Sequence, residues 1–123
     1  MIFKKSTDAV LVTCPKGEFT SARYLTQVDK TGFTVTKTVV HVGGKYRWHY
    51  ANHIEACLCV RGNAIVTDDA GNQYWLNEWD MYSPNDHKPH TFEAVDGDCV
   101  LVCVFTPALK GHEVHNEEGI YEL

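Results

Sequence analysis

The sequence contains no long apolar run and no cluster of basic residues. None of its apolar runs approaches the roughly 18 residues that a membrane-spanning helix requires, so we expect no membrane segment. The only adjacent basic pair is Lys4-Lys5, and 11 Lys and Arg stand against 16 Asp and Glu, for a net charge of −5. Proteins that bind nucleic-acid phosphates carry clustered Lys and Arg. The charge therefore predicts a small-molecule ligand and no nucleic-acid partner.

The first residues also lack the features of an export signal. Residues 1–12 contain neither a long apolar core nor a small-residue cleavage site. Five cysteines are present: Cys14, Cys57, Cys59, Cys99 and Cys103. Their number is odd, and four of them lie in apolar, strand-like runs, which is typical of buried free thiols in a reducing compartment. We therefore expect a cytoplasmic protein.

Helical periodicity is missing as well. Apolar and β-branched residues mostly alternate with period two, the pattern of strands. This alternation predicts strands over residues 34–42, 54–61, 63–67, 73–76, 80–83, 90–94 and 99–105. Turn residues separate several of them, at 68–72, 84–89 and 96–98. Many short strands at this spacing predict an all-β fold, a double-stranded β-helix or jelly-roll barrel of the cupin type.

No linker, repeat or low-complexity stretch divides the chain. Its 123 residues lie within the range of one domain, so we expect a single domain over 1–123. Residues 107–123 form a polar C-terminal tail rich in acids and histidines. From composition such a tail is a frayed terminus, but its chemistry leads us to expect it near the barrel mouth. We expect Trp48, Trp75 and Trp79 to serve packing.

The order of residues in the first half resembles the first cupin motif. Gly43, His49, Glu55 and Gly62 follow one another at the motif's approximate spacing. That motif usually offers two histidines as His-x-His together with one glutamate. Ala51 stands at the second histidine position, so the usual two-histidine set is broken.

The second half resembles the later cupin motif and supplies two further donors. Tyr82 precedes a proline turn, and His90 follows it on the next predicted strand. Together with Glu55 they form an inward-facing set of carboxylate, phenol and imidazole, which suits a first-row divalent metal. Three protein ligands leave positions open for water or substrate. Each residue taken alone is more often an ordinary strand or core residue, so the prediction depends on the combined spacing.

Longer stretches of the sequence carry a more specific resemblance. They are His49-Tyr50-x-x-His53-x-Glu55-Ala56, then Asp80-x-Tyr82 with His90, then Leu101–Pro107, and finally Gly111-x-Glu113-Val114-His115 with Glu117, Gly119 and Tyr121. These stretches resemble the ectoine synthase family, and the resemblance runs from Met1-Ile2 nearly to the end of the chain.

The resemblance implies an activity and a set of site residues. Ectoine synthases are iron-binding cupins that convert N-γ-acetyl-2,4-diaminobutyrate into ectoine and water, a hydro-lyase reaction. The implied metal is Fe²⁺ on Glu55, Tyr82 and His90, and a homodimer is implied too. The implied catalytic residues are Glu113, His115 and Tyr50. The implied substrate-binding residues are Phe19, Ser21, Arg23, Thr36, Thr38, His53, Cys103 and Phe105.

The chemistry of ring closure accounts for these residue types. The attacking amine must be neutral, and the amide carbonyl must be electrophilic. Glu113 and His115 lie two residues apart, so both can face one side of an extended tail, and Arg23 can bind a carboxylate with two hydrogen bonds. An exposed polar tail and a packing role for Cys103 are the competing interpretations.

The sequence departs from the family pattern at Phe19, where tryptophan is usual, at Thr36 and at Pro84. These departures would alter the pocket wall, and with it the substrate that fits.

Two other functions are consistent with the sequence. The first is that of another metal-dependent cupin enzyme, a lyase or an oxygenase. The second is that of a cupin that binds an osmolyte without catalysis.

Overall fold

The computed structural model describes residues 1–116 and 118–121, and within them the chain forms ten strands and no α-helix. The strands are β1 (Val10–Thr13), β2 (Phe19–Arg23), β3 (Thr34–Val40), β4 (Tyr46–Trp48), β5 (Ile54–Arg61), β6 (Ala64–Thr67), β7 (Gln73–Leu76), β8 (Met81–Tyr82), β9 (His90–Ala94) and β10 (Cys99–Thr106). Short 3-10 turns occur at Ser6–Asp8 and Gln27–Asp29. In the described ranges, no helix has the length and apolar character needed to cross a membrane.

The strands build two antiparallel sheets. One has six strands in the order β1-β2-β3-β10-β5-β8, and the other has four in the order β4-β9-β6-β7. Alternate residues are buried, for example Glu55, Cys57 and Cys59 on β5 and the corresponding positions of β9. Because alternation sends neighbouring side chains to opposite faces, the buried sets of both sheets form a common core. The predicted all-β double-sheet arrangement is confirmed.

The sequence predicted most strands but missed three. The predicted strands at 54–61, 73–76 and 90–94 match the structure, whereas β8 contains only two residues instead of the predicted 80–83. It is short because the Asp80 carboxylate accepts the Asn77 N–H in a turn and the Ser83 hydroxyl donates to the Glu55 carbonyl. Strands β1, β2 and β4 were not predicted. On β2 the inward positions include Ser21 and Arg23, which interrupt the apolar alternation.

The core contains both apolar and polar buried side chains. Trp48 is buried and stacks on Phe92 at 5.1 Å between ring centroids. By contrast, the buried positions of β2 and β3 include several hydroxyl-bearing side chains and Arg23. All five cysteines are buried and free, as predicted. Of the three tryptophans expected to serve packing, Trp48 is buried in the core, whereas Trp75 and Trp79 are 58% and 69% exposed.

Candidate active site

Strand register places five inward-facing residues from five strands in one row across the six-stranded sheet. Arg23 pairs with Thr36, Thr36 with Cys103, Cys103 with Cys57, and Cys57 with Tyr82. Directly opposed residues in antiparallel strands have Cβ atoms about 4.5–5.5 Å apart. Residues far apart in the sequence therefore become neighbours in what we call the inner row.

Glu55 lies beside the inner row, two residues before Cys57 and on the same face of β5. It is buried, and its Oε1 makes no hydrogen bond within the described residues. One donor atom each of Glu55, Cys57 and Cys103 lie within 4.8 Å of one another. Burial raises the pKa of Glu55 to about 8, so without a nearby cation its carboxyl is mostly protonated at neutral pH.

Tyr82 and His90 bring the two sheets into contact at this point. The Tyr82 hydroxyl lies 3.3 Å from His90 Nε2. Burial raises the pKa of Tyr82 well above its usual value, with further contributions from Cys57 and Glu55. Burial lowers the pKa of His90 to about 4, so its imidazole is neutral and carries a free lone pair at neutral pH. His90 Nδ1 has no hydrogen-bond partner among residues 1–116 and 118–121.

The three predicted metal ligands are therefore placed in two adjoining groups. Tyr82 contacts His90, and its pKa responds to the charge of Glu55, which lies near the phenol. His90 is not a member of the compact group that Glu55 forms with two thiols. Glu55 and His90 share one property, since each holds a buried polar atom that lacks a partner in the described chain. Such atoms are costly unless a proton donor or a cation satisfies them.

The C-terminal tail packs against the barrel. The His49 N–H donates to the Gly119 carbonyl at 2.8 Å, and Gly119 has φ +77°. A Cβ at Gly119 would lie 2.9 Å from the Trp48 Cα, so only glycine permits this approach. Tyr121 is buried, and its carbonyl accepts the Asn52 side-chain N–H at 2.9 Å. These contacts hold the tail against strand β4 and the loop after it.

Arg23 links the inner row to the tail. Its guanidinium donates to the Gly111 carbonyl at 3.1 Å and to the Tyr121 hydroxyl at 3.4 Å. Its Nη1 also lies 3.6 Å from Glu113 Oε1. Arg23 is 1% exposed, and its Nε makes no hydrogen bond in the part of the chain that the structure describes. The predicted carboxylate-binding residue therefore binds the protein's own tail in this conformation.

Glu113 and His115 occupy different environments. Burial acts to raise the pKa of Glu113, but the N–H groups of Gly111 and Lys110 and the charge of Arg23 hold it below its usual value, so the group is a carboxylate. His115 is buried among aromatic rings, with Tyr121 at 4.3 Å between centroids. Burial lowers the pKa of His115, against the opposing effect of Glu18, whose Oε2 lies 3.9 Å from Nδ1. His115 is thus a neutral, enclosed imidazole rather than part of an exposed tail.

The remaining predicted site residues are all buried. They are Phe19, Ser21, Thr36, Thr38, Tyr50, His53, Cys103 and Phe105. The hydroxyls of Thr36 and Thr38 are hydrogen-bonded at 2.9 Å, and Thr38 donates onward to Ser21 at 3.5 Å. Burial raises the pKa of Tyr50 well above its usual value, so its phenol stays protonated.

An interior cavity and an outer groove border these residues, and they differ greatly in size. An interior cavity of about 10 Å³ is lined by Glu55, Cys57, Cys103, Tyr50 and Tyr121, among others. An outer groove of about 600 Å³, with Tyr82 and His90 among its lining residues, runs beside β7 and the proline turn. We take the interior as the candidate active site, because Glu55 and other buried polar groups converge there. A water molecule needs roughly 10–15 Å³, so in this conformation the interior has room for about one water.

Three residues near the site were given no role from sequence. Cys57 lies on the Glu55 face, and strand alternation alone could have indicated it. Glu18 accepts the Trp48 indole N–H at 2.9 Å, and Tyr121 contacts both Arg23 and His115. No local pattern points to either contact, because both depend on segments far apart in the chain. Glu117, quoted for the resemblance, and residues 122–123 lie outside the described residues.

Two antiparallel sheets with polar groups converging between them define a cupin fold. The structure of KdgF from Halomonas sp. shares this fold at TM-score 0.71 and 14% identity, covering 87% of this chain and 94% of that one. The chain belongs to the ectoine synthase family, whose model matches residues 1–123. It is 39% identical over 113 residues to L-ectoine synthase of Teredinibacter turnerae, covering 91% of this chain and 85% of the relative.

A solved structure supports the same family membership. The crystal structure of ectoine synthase from P. lautus superposes at TM-score 0.83 with 28% identity, covering 90% of this chain and 81% of that one. The predicted family and the predicted cupin fold are both confirmed. Membership in this family makes the protein a carbon–oxygen lyase.

Glu55 makes the stability of the metal-free protein depend on pH. Its pKa rises from 4.5 to about 8 on folding, so its contribution is complete below pH 4.5 and is lost as pH rises through 8. The pKa of His90 falls from 6.5 to about 4 on folding. Its contribution to the free energy of unfolding is therefore complete above pH 6.5 and is lost as the pH falls through about 4. Between pH 6.5 and 8 we expect the free energy of unfolding to fall by about 1.4 kcal/mol per pH unit through Glu55.

Urea unfolding with a chelator present, at several pH values in this window, measures the slope. We expect Glu55→Gln to remove it, because the amide cannot ionise. Glu78→Gln is the matched control, since Glu78 is exposed and should leave the slope unchanged. An equal slope in the wild type and Glu55→Gln would show that Glu55 is not a buried, protonated carboxyl.

Proposed function

We propose that this protein is an L-ectoine synthase that closes N-γ-acetyl-L-2,4-diaminobutyrate into ectoine with loss of one water. The observation that carries the proposal is the contact of the Tyr82 hydroxyl with His90 Nε2 at 3.3 Å, near the buried carboxyl of Glu55, in a chain of the ectoine synthase family. The substrate carries a carboxylate, an amine and an acetamide. Each has a chemically matched group among the site residues.

We assign a divalent metal, Fe²⁺, to Glu55, Tyr82 and His90. Glu55 Oε1 is buried without a partner in the described residues, and His90 Nε2 faces the Tyr82 hydroxyl at 3.3 Å. A neutral imidazole, a carboxyl group and a phenol make a donor set that first-row divalent ions accept. When bound, such an ion supplies Lewis-acid polarisation of the amide carbonyl.

We propose that the tail must move before the substrate can enter. We treat residues 1–123 as one domain with the tail from about 107 covering the barrel mouth. An interior of about 10 Å³ cannot hold the substrate, and Tyr121 forms part of its lining. When Tyr121 leaves, Arg23 loses a hydrogen bond to the tail, and its guanidinium can bind the substrate carboxylate instead. Exchange of the Tyr121 hydroxyl for the substrate carboxylate as the partner of Arg23 would couple tail opening to substrate binding.

Ring closure then needs transfer of two protons. The amine nitrogen bonds to the amide carbon, the C–O bond breaks, and both amine protons leave with the oxygen as water. Glu113 is ionised and can accept a proton, His115 is a neutral imidazole, and both lie on the tail. The protonated Tyr50 phenol can donate a hydrogen bond to the carbonyl oxygen. Holding amine and carbonyl together can lower the barrier by up to roughly 7–11 kcal/mol.

The activity test supplies N-γ-acetyl-L-2,4-diaminobutyrate and Fe²⁺ without oxygen and follows ectoine by chromatography. We expect product from the wild type, and losses of roughly 100-fold or more in both turnover and bound iron for Glu55→Ala and His90→Ala. His112→Ala is the control, because His112 is exposed. Absence of product at every iron load would contradict the proposal. Oxygen consumption in a parallel incubation under air would then favour a cupin oxygenase, and ectoine binding without turnover would favour an osmolyte-binding protein.

Glu113→Gln separates proton transfer from metal binding. The amide keeps the side chain's size but cannot take a proton at neutral pH, so kcat should fall roughly 100-fold or more. Bound iron, measured by elemental analysis, should equal that of the wild type. Glu118→Gln serves as the control because Glu118 is an exposed acid of the same tail. Full turnover by Glu113→Gln would remove Glu113 from the mechanism.

We also propose that the protein works in the cytoplasm as a homodimer. The five free, buried thiols fit a reducing compartment. Strands β7 and β8 are sheet edges, and Trp75, Trp79 and Met81 expose 58–69% of their surface there. Exposed apolar groups at unpaired edges favour association with a second copy.

Light scattering after size exclusion tests the dimer. We expect a dimer mass for the wild type and a monomer mass for Trp79→Glu combined with Met81→Glu, because buried charges would oppose association. Val28→Glu, at an equally exposed apolar position on another surface, should remain dimeric. A wild type that runs as a monomer at all concentrations would contradict this proposal.

A further inference from the structure

Two thiols form part of the wall beside Glu55. Cys57 on β5 and Cys103 on β10 are directly paired, and both are 1–2% exposed. Their sulfur atoms and a Glu55 carboxyl oxygen lie within 4.8 Å of one another. In the proposed ring closure neither thiol forms or breaks a bond, so that reaction does not explain why two thiols lie beside Glu55.

The other thiol pair of the same two strands provides an internal comparison. Cys59 and Cys99 lie 3.7 Å apart, and the Cys59 thiol can donate to the Gly62 carbonyl at 3.4 Å. That pair has a backbone acceptor and belongs to no cluster with a carboxylate in the described residues. Cys57 instead interacts with the Glu55 carboxyl and with the Cys103 thiol, and Glu55 Oε1 has no further partner in those residues.

The donor set of this cluster differs in kind from that of the iron centre. Thiolates select soft or borderline cations such as Zn²⁺ and Cd²⁺, whereas carboxylate, phenol and imidazole accept harder ions. Around a tetrahedral zinc ion, with Zn–S near 2.3 Å, neighbouring ligand atoms are about 3.5–3.8 Å apart. The three donor atoms lie within 4.8 Å of one another, so zinc binding requires them to approach by about 1 Å at most.

We propose that Glu55, Cys57 and Cys103 form a second, thiophilic cation site that takes Zn²⁺ or Cd²⁺ and shares Glu55 with the iron centre. Because one carboxylate serves both, occupation by a thiophilic ion competes with Fe²⁺ for Glu55. Zinc or cadmium bound at this site would exclude iron by occupying Glu55, without binding the other two iron ligands. The site stands on the geometry of the three side chains, while its competition with iron rests on the proposed function.

Cobalt(II) is the probe that reports thiolate ligation directly. The full-length protein is stripped of metal, reduced with a phosphine and titrated with Co²⁺ without oxygen. We expect an intense near-ultraviolet thiolate-to-cobalt charge-transfer band that saturates at one ion per chain and disappears when Zn²⁺ or Cd²⁺ is added. Carboxylate, phenol and imidazole ligands without sulfur do not produce this band.

Variants assign the band to its residues. Cys57→Ser and Cys103→Ser should each weaken the band and reduce Cd²⁺ affinity roughly tenfold or more, and Cys99→Ala should do neither. Fe²⁺ affinity of Cys57→Ser should stay within about threefold of wild type, because the iron ligands remain. Alkylation followed by mass spectrometry gives an independent readout in the wild type. Zn²⁺ should slow modification of Cys57 and Cys103 relative to Cys59.

The outcomes separate the two proposals. Cobalt bound without a charge-transfer band, or a band that persists in both serine variants, would overturn the thiophilic site and leave the iron centre intact. Equal protection of all three cysteines would overturn it too. A thiolate band in a protein that makes no ectoine would instead support the site and contradict the proposed activity.

Discussion

The register of β10 between β3 and β5 determines which side chains meet in the interior. This pairing aligns Thr36, Cys103 and Cys57 across three strands, and β2 and β8 extend the row to Arg23 and Tyr82. A slip of one residue would turn Cys103 outward and replace it with an apolar neighbour. Local motifs supply the chemical groups, but the hydrogen-bonded ladders determine which groups meet.

The same interior accounts for the electrostatics of the site. Glu55 and His90 both prefer their neutral forms because burial disfavours charge, and each has an unsatisfied polar atom in the described chain. An apolar core of equal volume would be more stable, so these groups cost stability. A bound cation would offset that cost. Arg23 avoids a similar cost in part by hydrogen-bonding the tail, which encloses the site.

How well the sequence predicted each element follows from how local its determinants are. Strand β5 was predicted with its correct bounds, since period two is a local signal. Strand β2 was missed because its inward residues are polar, and their polarity makes sense only inside a barrel lined by a site. The tryptophans illustrate the opposite case. Trp75 and Trp79 look like core residues by composition, yet their strand and turn lie at exposed edges.

The all-β class and the family could be predicted from the sequence, because strand alternation and motifs are patterns along the chain; the donor groups stay a prediction. The tertiary structure brings Cys103 beside Glu55 and Cys57, joins Arg23 to the tail, and adds Tyr121 to the lining of the interior. These contacts join residues 46 to 98 positions apart in the chain. Their existence depends on cross-strand register and on chain return over the barrel, and no local pattern encodes either.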